Sequence, residues 1–143
     1  MKRIALFVPV LLIFFSTCLL SQTTDETYSS HLNQVRMGAN PAQPYNLLRA
    51  TNNMEIVKGV VAENLRDTLV SVRRFCYQSL DVIQKSATAP ATKQQILALQ
   101  LQGMEDESPD IVGLSIQNLS SVPVSLFNAS QKTLLIQALD RQA

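Results

Sequence analysis

Few side chains in this sequence have the chemistry that an active site needs. His31 is the only histidine among 143 residues, and Cys18 and Cys76 are the two cysteines. A general base or a nucleophile works only when a second functional group is held within hydrogen-bonding distance. Because His31 falls in a polar segment that we expect to be flexible, no Ser-His or Cys-His pair is predicted. The sequence therefore favours a protein that is not an enzyme.

Metal and cofactor sites are not predicted either. Metal ions need clustered His, Cys or carboxylate ligands, and the sequence offers no such cluster of His or Cys. The run EDESPD at 105–110 holds four acidic residues but lacks the alternating oxygen ligands and central glycine of a calcium loop. We interpret it as a solvated turn, since charge runs are usually solvated. There is no glycine-rich phosphate loop, so we expect no cofactor.

The elements that position side chains in this chain are predicted to be helices. Apolar residues recur from residue 45 almost to the end, and no strand-like alternation competes with them. Between 65 and 83 they follow the spacing i, i+3, i+7, i+11, i+14, which places them on one helix face: Leu69, Val72, Cys76, Leu80 and Ile83. The sequence predicts an all-α domain over 45–143 with about five helices.

The helical pattern is repeated. The segment LRDTLVSVRRFCYQSLDVI at 65–83 is followed 39 residues later by MEDESPDIVGLSIQNLSSV, and NMEIVKGVVAEN at 53–64 precedes TKQQILALQLQG by the same interval. A third piece, SQKTLLIQALDR, lies at 130–141. We therefore predict helix pairs over 53–84 and 92–122 and a final helix over 130–141. Periods of this size are typical of helical repeat proteins.

The pattern resembles the HEAT repeat family, whose repeats carry Asp in the turn between two helices and Val-Arg after five residues. Asp67 precedes Val-Arg at 72–73, whereas Asp106 precedes Ile-Val at 111–112, so the second copy lacks the arginine. The resemblance implies a short right-handed solenoid of antiparallel helix pairs, of the HEAT or armadillo type. In such a stack Arg73 would reach Asp106 in the neighbouring turn or Asp67 in its own. The alternative is that Arg73 is a solvated surface charge.

The N-terminus has the organisation of an export signal. Lys2 and Arg3 precede an apolar run at 4–15, which is shorter than the run that a membrane-spanning helix needs. We predict a signal peptide over 1–21 and a polar, flexible leader over 22–44, with one weak helical turn around 31–37 as its most ordered part. The alternatives are a lipoprotein signal ending near Cys18, which would then be lipidated, and an uncleaved N-terminal anchor. The protein is accordingly expected to be exported, either secreted or periplasmic, and to meet a membrane only under one of these alternatives.

The charge balance bears on the class of partner. The chain has 12 Lys plus Arg and 11 Asp plus Glu. Without Lys2 and Arg3 the basic residues fall to 10, which leaves a net charge of about −1. Nucleic-acid binding needs a basic patch that displaces counterions, so nucleic acid is not an expected partner.

Cys76 and two asparagines are candidate sites of covalent linkage. Cys76 is the only cysteine left after removal of the signal, and it is either a buried structural thiol or an exposed thiol that joins two chains. The sequons at Asn118 and Asn128 would be used only in a eukaryotic secretory pathway. We expect Asn128, in a loop, to be the better acceptor.

The final helix is the candidate interaction surface. Its apolar residues lie on more than one side, as at a binding site or dimer contact: Leu134, Leu135, Ile136 and Leu139. The alternative is that this helix simply covers the end of the core. The favoured function is an exported, non-catalytic module or scaffold that binds another protein, with a homodimer as one form of that contact. The alternative is a carrier of an apolar small ligand lined by Phe75, Met104 and Phe127.

Overall fold

A computed structural model describes residues 27–39, residue 48 and residues 54–141. Within these residues all regular structure is helical and no strand occurs, which confirms the all-α prediction. The described part of helix α1 is 27–36, and the later helices are α2 (Met54–Asn64), α3 (Val70–Ser86), α4 (Pro90–Gln102), α5 (Pro109–Ser120) and α6 (Ala129–Asp140). Short 3-10 turns follow α4 at Gly103–Glu105 and α5 at Val124–Leu126. The predicted signal peptide and Cys18 lie outside the described residues.

Local sequence accounts for where several helices begin. Pro90 and Pro109 stand at the first positions of α4 and α5, where the missing proline N–H costs no hydrogen bond. At α6 the Asn128 side chain accepts from the backbone N–H of Gln131 at 2.9 Å, and the Gln131 side chain accepts from the Asn128 N–H at 2.9 Å. This reciprocal capping box satisfies two N–H groups and fixes the start of the last helix.

Helix α3 lies at the centre of the packing, in contact with α2, α4 and α5, while α4 also contacts α6. Two apolar clusters form the core. The first joins α1, α2 and α3 and includes Ile96 of α4 and Ile111 of α5. The second joins α4, α5 and α6 through Leu97, Leu119 and Ala138. The last helix is thus attached through the second cluster.

The two helix pairs bury side chains at equivalent positions 39 residues apart. Nine such position pairs are buried in both copies: Val57/Ile96, Val61/Gln100, Leu65/Met104, Val72/Ile111, Arg73/Val112, Cys76/Ser115, Ser79/Asn118, Leu80/Leu119 and Ile83/Val122. Most of these pairs are apolar, so each helix pair buries one apolar stripe. Gln100 is a polar member of this set whose counterpart, Val61, is apolar, and both its amide Oε1 and Nε2 are buried without a hydrogen-bond partner.

Helix α1 is where the structure differs from the sequence interpretation, which expected a flexible leader over 22–44. Tyr28, Leu32 and Val35 follow the spacing i, i+4, i+7 and are buried in the first cluster. The Tyr28 hydroxyl donates to Ser79 Oγ at 2.6 Å, and its ring centroid lies 5.8 Å from that of Phe75. The physical reason is that three well-spaced apolar side chains pack in the first cluster with residues of α2 and α3, although the surrounding residues are polar.

None of the described helices is both long enough and apolar enough to cross a membrane.

Candidate interaction surfaces

Arg73 is buried between two inter-helix turns. Its Nε and Nη2 donate to Oδ2 and Oδ1 of Asp106, both at 2.9 Å, and its Nη1 donates to the backbone carbonyl of Asp67 at 2.8 Å. The residue is only 4% exposed, and the bond with Asp106 raises the pKa of the guanidinium. Arg73 thus reaches the neighbouring turn through a carboxylate and its own turn through a carbonyl, and it is not a solvated charge.

A second arginine makes the same kind of contact one step earlier. Arg36, at the end of α1, donates from Nε and Nη2 to Asp67 Oδ2 at 3.1 and 2.8 Å. Asp67 Oδ1 accepts a hydrogen bond from the Leu69 N–H at 2.9 Å. This bond lowers the pKa of the Asp67 carboxyl, and the hydrogen bond from Arg36 lowers it further. Asp106 likewise accepts from the Ser108 N–H at 2.8 Å. We call the pairs Arg36–Asp67 and Arg73–Asp106 the Arg–Asp ladder.

Sequence reasoning missed Arg36 because it assigned residues 22–44 to a flexible leader. A signal was present, since Val-Arg at 35–36 repeats the dipeptide at 72–73 that pointed to Arg73. The ladder consumes both of its carboxylates and both of its guanidinium groups in internal contacts. Its chemistry is therefore the orientation of turns, not reaction with a substrate.

The acidic run at 105–110 divides between interior and surface. Asp106 belongs to the ladder, whereas Glu105, Glu107 and Asp110 are exposed. An open polar groove of about 420 Å³ lies beside the ladder and is lined by charges of both signs, including Arg66, Glu105 and Glu107. In the described part of the chain no group of three His, Cys, Asp or Glu side chains is placed to hold a metal ion.

His31 lies on α1, with Nδ1 2.8 Å from the Thr27 carbonyl oxygen.

Cys76 is fully buried in α3 as a free thiol. Burial raises the pKa of this thiol to about 12, so it is protonated at neutral pH. The hypothesis of an intermolecular disulfide through Cys76 does not fit this position, because no second chain reaches the sulfur unless the core opens. Cys76 is therefore a buried structural thiol.

A close approach of backbone to side chain explains why small residues are required nearby. A Cβ atom on Gly103 would overlap Ser115 Oγ and lie 2.6 Å from Tyr77 Cε1. Ser115 occupies the position in α5 that Cys76 occupies in α3. The 3-10 turn after α4 therefore packs directly on α3 and α5, with no room for a methyl group.

The two sequons have different surroundings. Asn118 is buried, and its Nδ2 donates to the Tyr77 carbonyl oxygen at 3.0 Å. A glycan on that nitrogen is incompatible with this packing, so Asn118 is not an acceptor in the folded chain. Asn128 is exposed at the start of α6, where only its Oδ1 is used in capping.

The four residues of the predicted interaction face on α6 separate into three groups. Leu135 is half-buried against the second cluster, so it belongs to the attachment of α6. Leu134 is 45% exposed on one side of the helix, and Ile136 and Leu139 are 58% and 42% exposed elsewhere on it. Because two residues span about 200° of an α-helix, Leu134 and Ile136 point in nearly opposite directions.

An apolar groove separates α4 from α6 on the Leu134 side. It has a volume of about 180 Å³ and is lined by Leu101, Met104, Leu134 and Ala138, with Glu105 and Arg141 among its polar residues. We call it the α4–α6 groove. Sequence reasoning identified Leu134 but missed Leu101, because a groove between helices cannot be located before their packing is known.

The aromatic residues proposed for a ligand carrier do not meet in one cavity. Phe75 packs in the first cluster, whereas Phe127 and Met104 belong to the second, and Met104 also lines the α4–α6 groove. Both aromatic rings are buried among other side chains.

A scan of the chain against protein-family models finds no match, and searches of the curated proteins and of the solved structures find none either. The surfaces themselves are therefore the features that bear on function. The ladder is satisfied internally, whereas the two exposed sides of α6 present apolar side chains to solvent.

Proposed function

We propose that this protein is an exported, non-catalytic helical-repeat module that binds another protein through the α4–α6 groove. The observation that carries the proposal is an apolar groove beside an exposed leucine, Leu134, at the end of a packed helical domain. Exposed apolar surface of this kind marks interaction sites in soluble proteins. The export part of the proposal rests on the signal-like sequence at 1–21.

The size of the groove favours a protein segment over a small ligand. Small-molecule sites usually have volumes of about 300–1,000 Å³, and the α4–α6 groove, at about 180 Å³, is smaller. A groove of this size suits one or two large apolar side chains of a partner, as in the anchor positions that dominate many protein interfaces. Glu105 and Arg141 supply charges of both signs for the polar groups beside such an anchor.

The repeat architecture in this proposal is a short HEAT-like solenoid. Three observations support it: second helices contact each other (α3 with α5), first helices contact each other (α4 with α6), and equivalent positions are buried in both pairs. A hydrogen bond from Lys58 Nζ to Gln95 Oε1, at 2.7 Å, also links the first helices α2 and α4. Repeat stacks commonly bind partners through exposed surfaces while their cores stay packed.

The proposal is tested by selecting displayed peptides against the purified exported protein and measuring their affinities for matched variants. Leu134→Asp places a charge in the groove, whereas Val124→Asp changes an equally apolar side chain that is 71% exposed outside the groove. We expect peptides with large apolar anchors, at least a tenfold loss of affinity for Leu134→Asp, and little change for Val124→Asp. Equal affinities for both variants would refute binding through the groove.

A further inference from the structure

We propose that the opposite side of α6 pairs with the same side of a second copy of this chain, in an antiparallel helix contact across a two-fold axis at Ile136. We call this surface the Ile136 face; it comprises Lys132, Ile136, Leu139 and Asp140. All four side chains are exposed, and Ile136 is the most exposed large apolar residue of α6 at 58%. The inference goes beyond the proposed function, because it uses a different surface.

The spacing of the face makes it self-complementary. Lys132 and Asp140 lie four residues before and after Ile136, so the three side chains form one strip along the helix. Neither Lys132 nor Asp140 has an ion-pair partner in the part of the chain that the structure describes. The strip thus presents an apolar centre between two unpaired charges of opposite sign.

An antiparallel contact centred on Ile136 joins these features in both directions at once. It sets Ile136 against Ile136 of the other copy and each Lys132 opposite the other copy's Asp140. A parallel contact would instead oppose Lys132 to Lys132 and Asp140 to Asp140. Isologous dimers need the same patch to complement itself under a two-fold rotation, and this strip satisfies that requirement. Charge complementarity therefore selects a second copy and the antiparallel direction.

The monomer keeps its own contacts in such a dimer. Gln131 and Ala138 are the buried residues of α6, and they point away from the Ile136 face. The α4–α6 groove, on the Leu134 side, stays open in each copy. A dimer of this form would carry two grooves, and linked sites raise the avidity for a partner that presents two copies of its own segment.

The contact is small, so we expect a weak dimer, measurable by sedimentation equilibrium of the full exported chain from micromolar to roughly millimolar concentration. Ile136→Asp should raise the dissociation constant at least tenfold. Lys132→Asp and Asp140→Lys should each weaken the dimer, because each opposes like charges. Mixing these two variants, or combining both changes in one chain, should restore it, since opposite charges then face again.

The charge swap separates this proposal from other modes of association. Restoration by mixing requires Lys132 of one copy to face Asp140 of the other, which a merely structural effect of either substitution would not produce. A chain that stays monomeric throughout, or a dimer that Ile136→Asp leaves unchanged, would overturn the proposal. The groove variant Leu134→Asp should dimerise normally, so failure of peptide binding and failure of dimerisation are distinguishable.

Discussion

Replacing Arg73 with methionine should destabilise the fold far more than the same replacement at Arg74. The two arginines are neighbours in α3, but Arg73 is 4% exposed and forms two bonds with Asp106. The Arg74 side chain is 56% exposed and lies 3.6 Å from an oxygen of Asp110, whose side chain is 70% exposed. The pair therefore compares one buried and one solvated ion pair within the same helix.

The magnitude follows from what each substitution leaves behind. Removal of Arg73 leaves Asp106 without its charged donor, although the Asp106 side chain is only 9% exposed. The Asp67 carbonyl oxygen also loses the hydrogen bond that Arg73 donates to it. Breaking a buried ion pair typically costs about 3–5 kcal/mol. Asp106 keeps the bond from the Ser108 N–H, so we expect the lower end, about 3 kcal/mol. Arg74→Met should cost about 0–1 kcal/mol, as for surface pairs.

The measurement is urea unfolding of Arg73→Met, Arg74→Met, Asp106→Asn and the double variant Arg73→Met/Asp106→Asn. The double variant should lose less than the sum of its single changes, with a coupling of about 0.5–3 kcal/mol, because neither charge is then left alone. Losses below about 1 kcal/mol for both methionine variants would refute the argument, since Arg73 would then behave as a surface charge.

Three further predictions concern the packing. Gly103→Ala should lower the free energy of unfolding by about 1–3 kcal/mol, because the added methyl group has no room. Gly59→Ala should raise it by about 0.5–1 kcal/mol, because nothing lies within 4 Å of the added Cβ. Equal effects of the two substitutions in urea unfolding would contradict the close approach at Gly103. Gln100→Leu should raise the free energy of unfolding by about 1–3 kcal/mol by removing two buried amide atoms without partners, and a loss in thermal unfolding would show that the amide is satisfied. The Cys76 thiol should react with a thiol reagent only as fast as the core opens, so rapid labelling in native buffer would contradict its burial.

The helices from α2 onward could be predicted because their apolar residues recur at helical spacing over long stretches. The predicted pairs over 53–84 and 92–122 and the final helix over 130–141 correspond closely to α2–α3, α4–α5 and α6. Local periodicity carries this information, since each helix buries one continuous stripe. The contact of Arg73 with Asp106 followed from the position of two turns in that repeat.

Helix α1 could not be predicted in the same way because its stability depends on tertiary contacts. Most helical stability in proteins comes from the packing of an apolar face against the rest of the fold. Tyr28, Leu32 and Val35 are buried within the first cluster, which residues of α2 and α3 complete. The sequence alone shows three apolar residues in a polar segment, and this composition is equally typical of a flexible leader.

The candidate surfaces were only partly predictable, for a geometric reason. The sequence places Leu134, Leu135, Ile136 and Leu139 on several sides of α6, but it does not say which side meets α4. In the structure Ala138 is buried and Leu135 is half-buried, so their side of α6 packs on the domain. Leu134 then lies at the α4–α6 groove, and Ile136 and Leu139 lie on the Ile136 face. Two surfaces with different chemistry thus emerge from one apolar helix.

The point at which the ladder stops gives a physical reason for the binding surfaces to lie on α6. Val112 occupies the repeat position of Arg73, so no third arginine continues the Arg–Asp ladder beyond Asp106. The last helix packs instead through the second apolar cluster, and its own capping box fixes where it begins; neither involves a buried charge. Under the two proposals, the groove side and the Ile136 face of α6 can therefore bind partners without disturbing the Arg73–Asp106 ion pair, because apolar contacts hold the remaining side of α6.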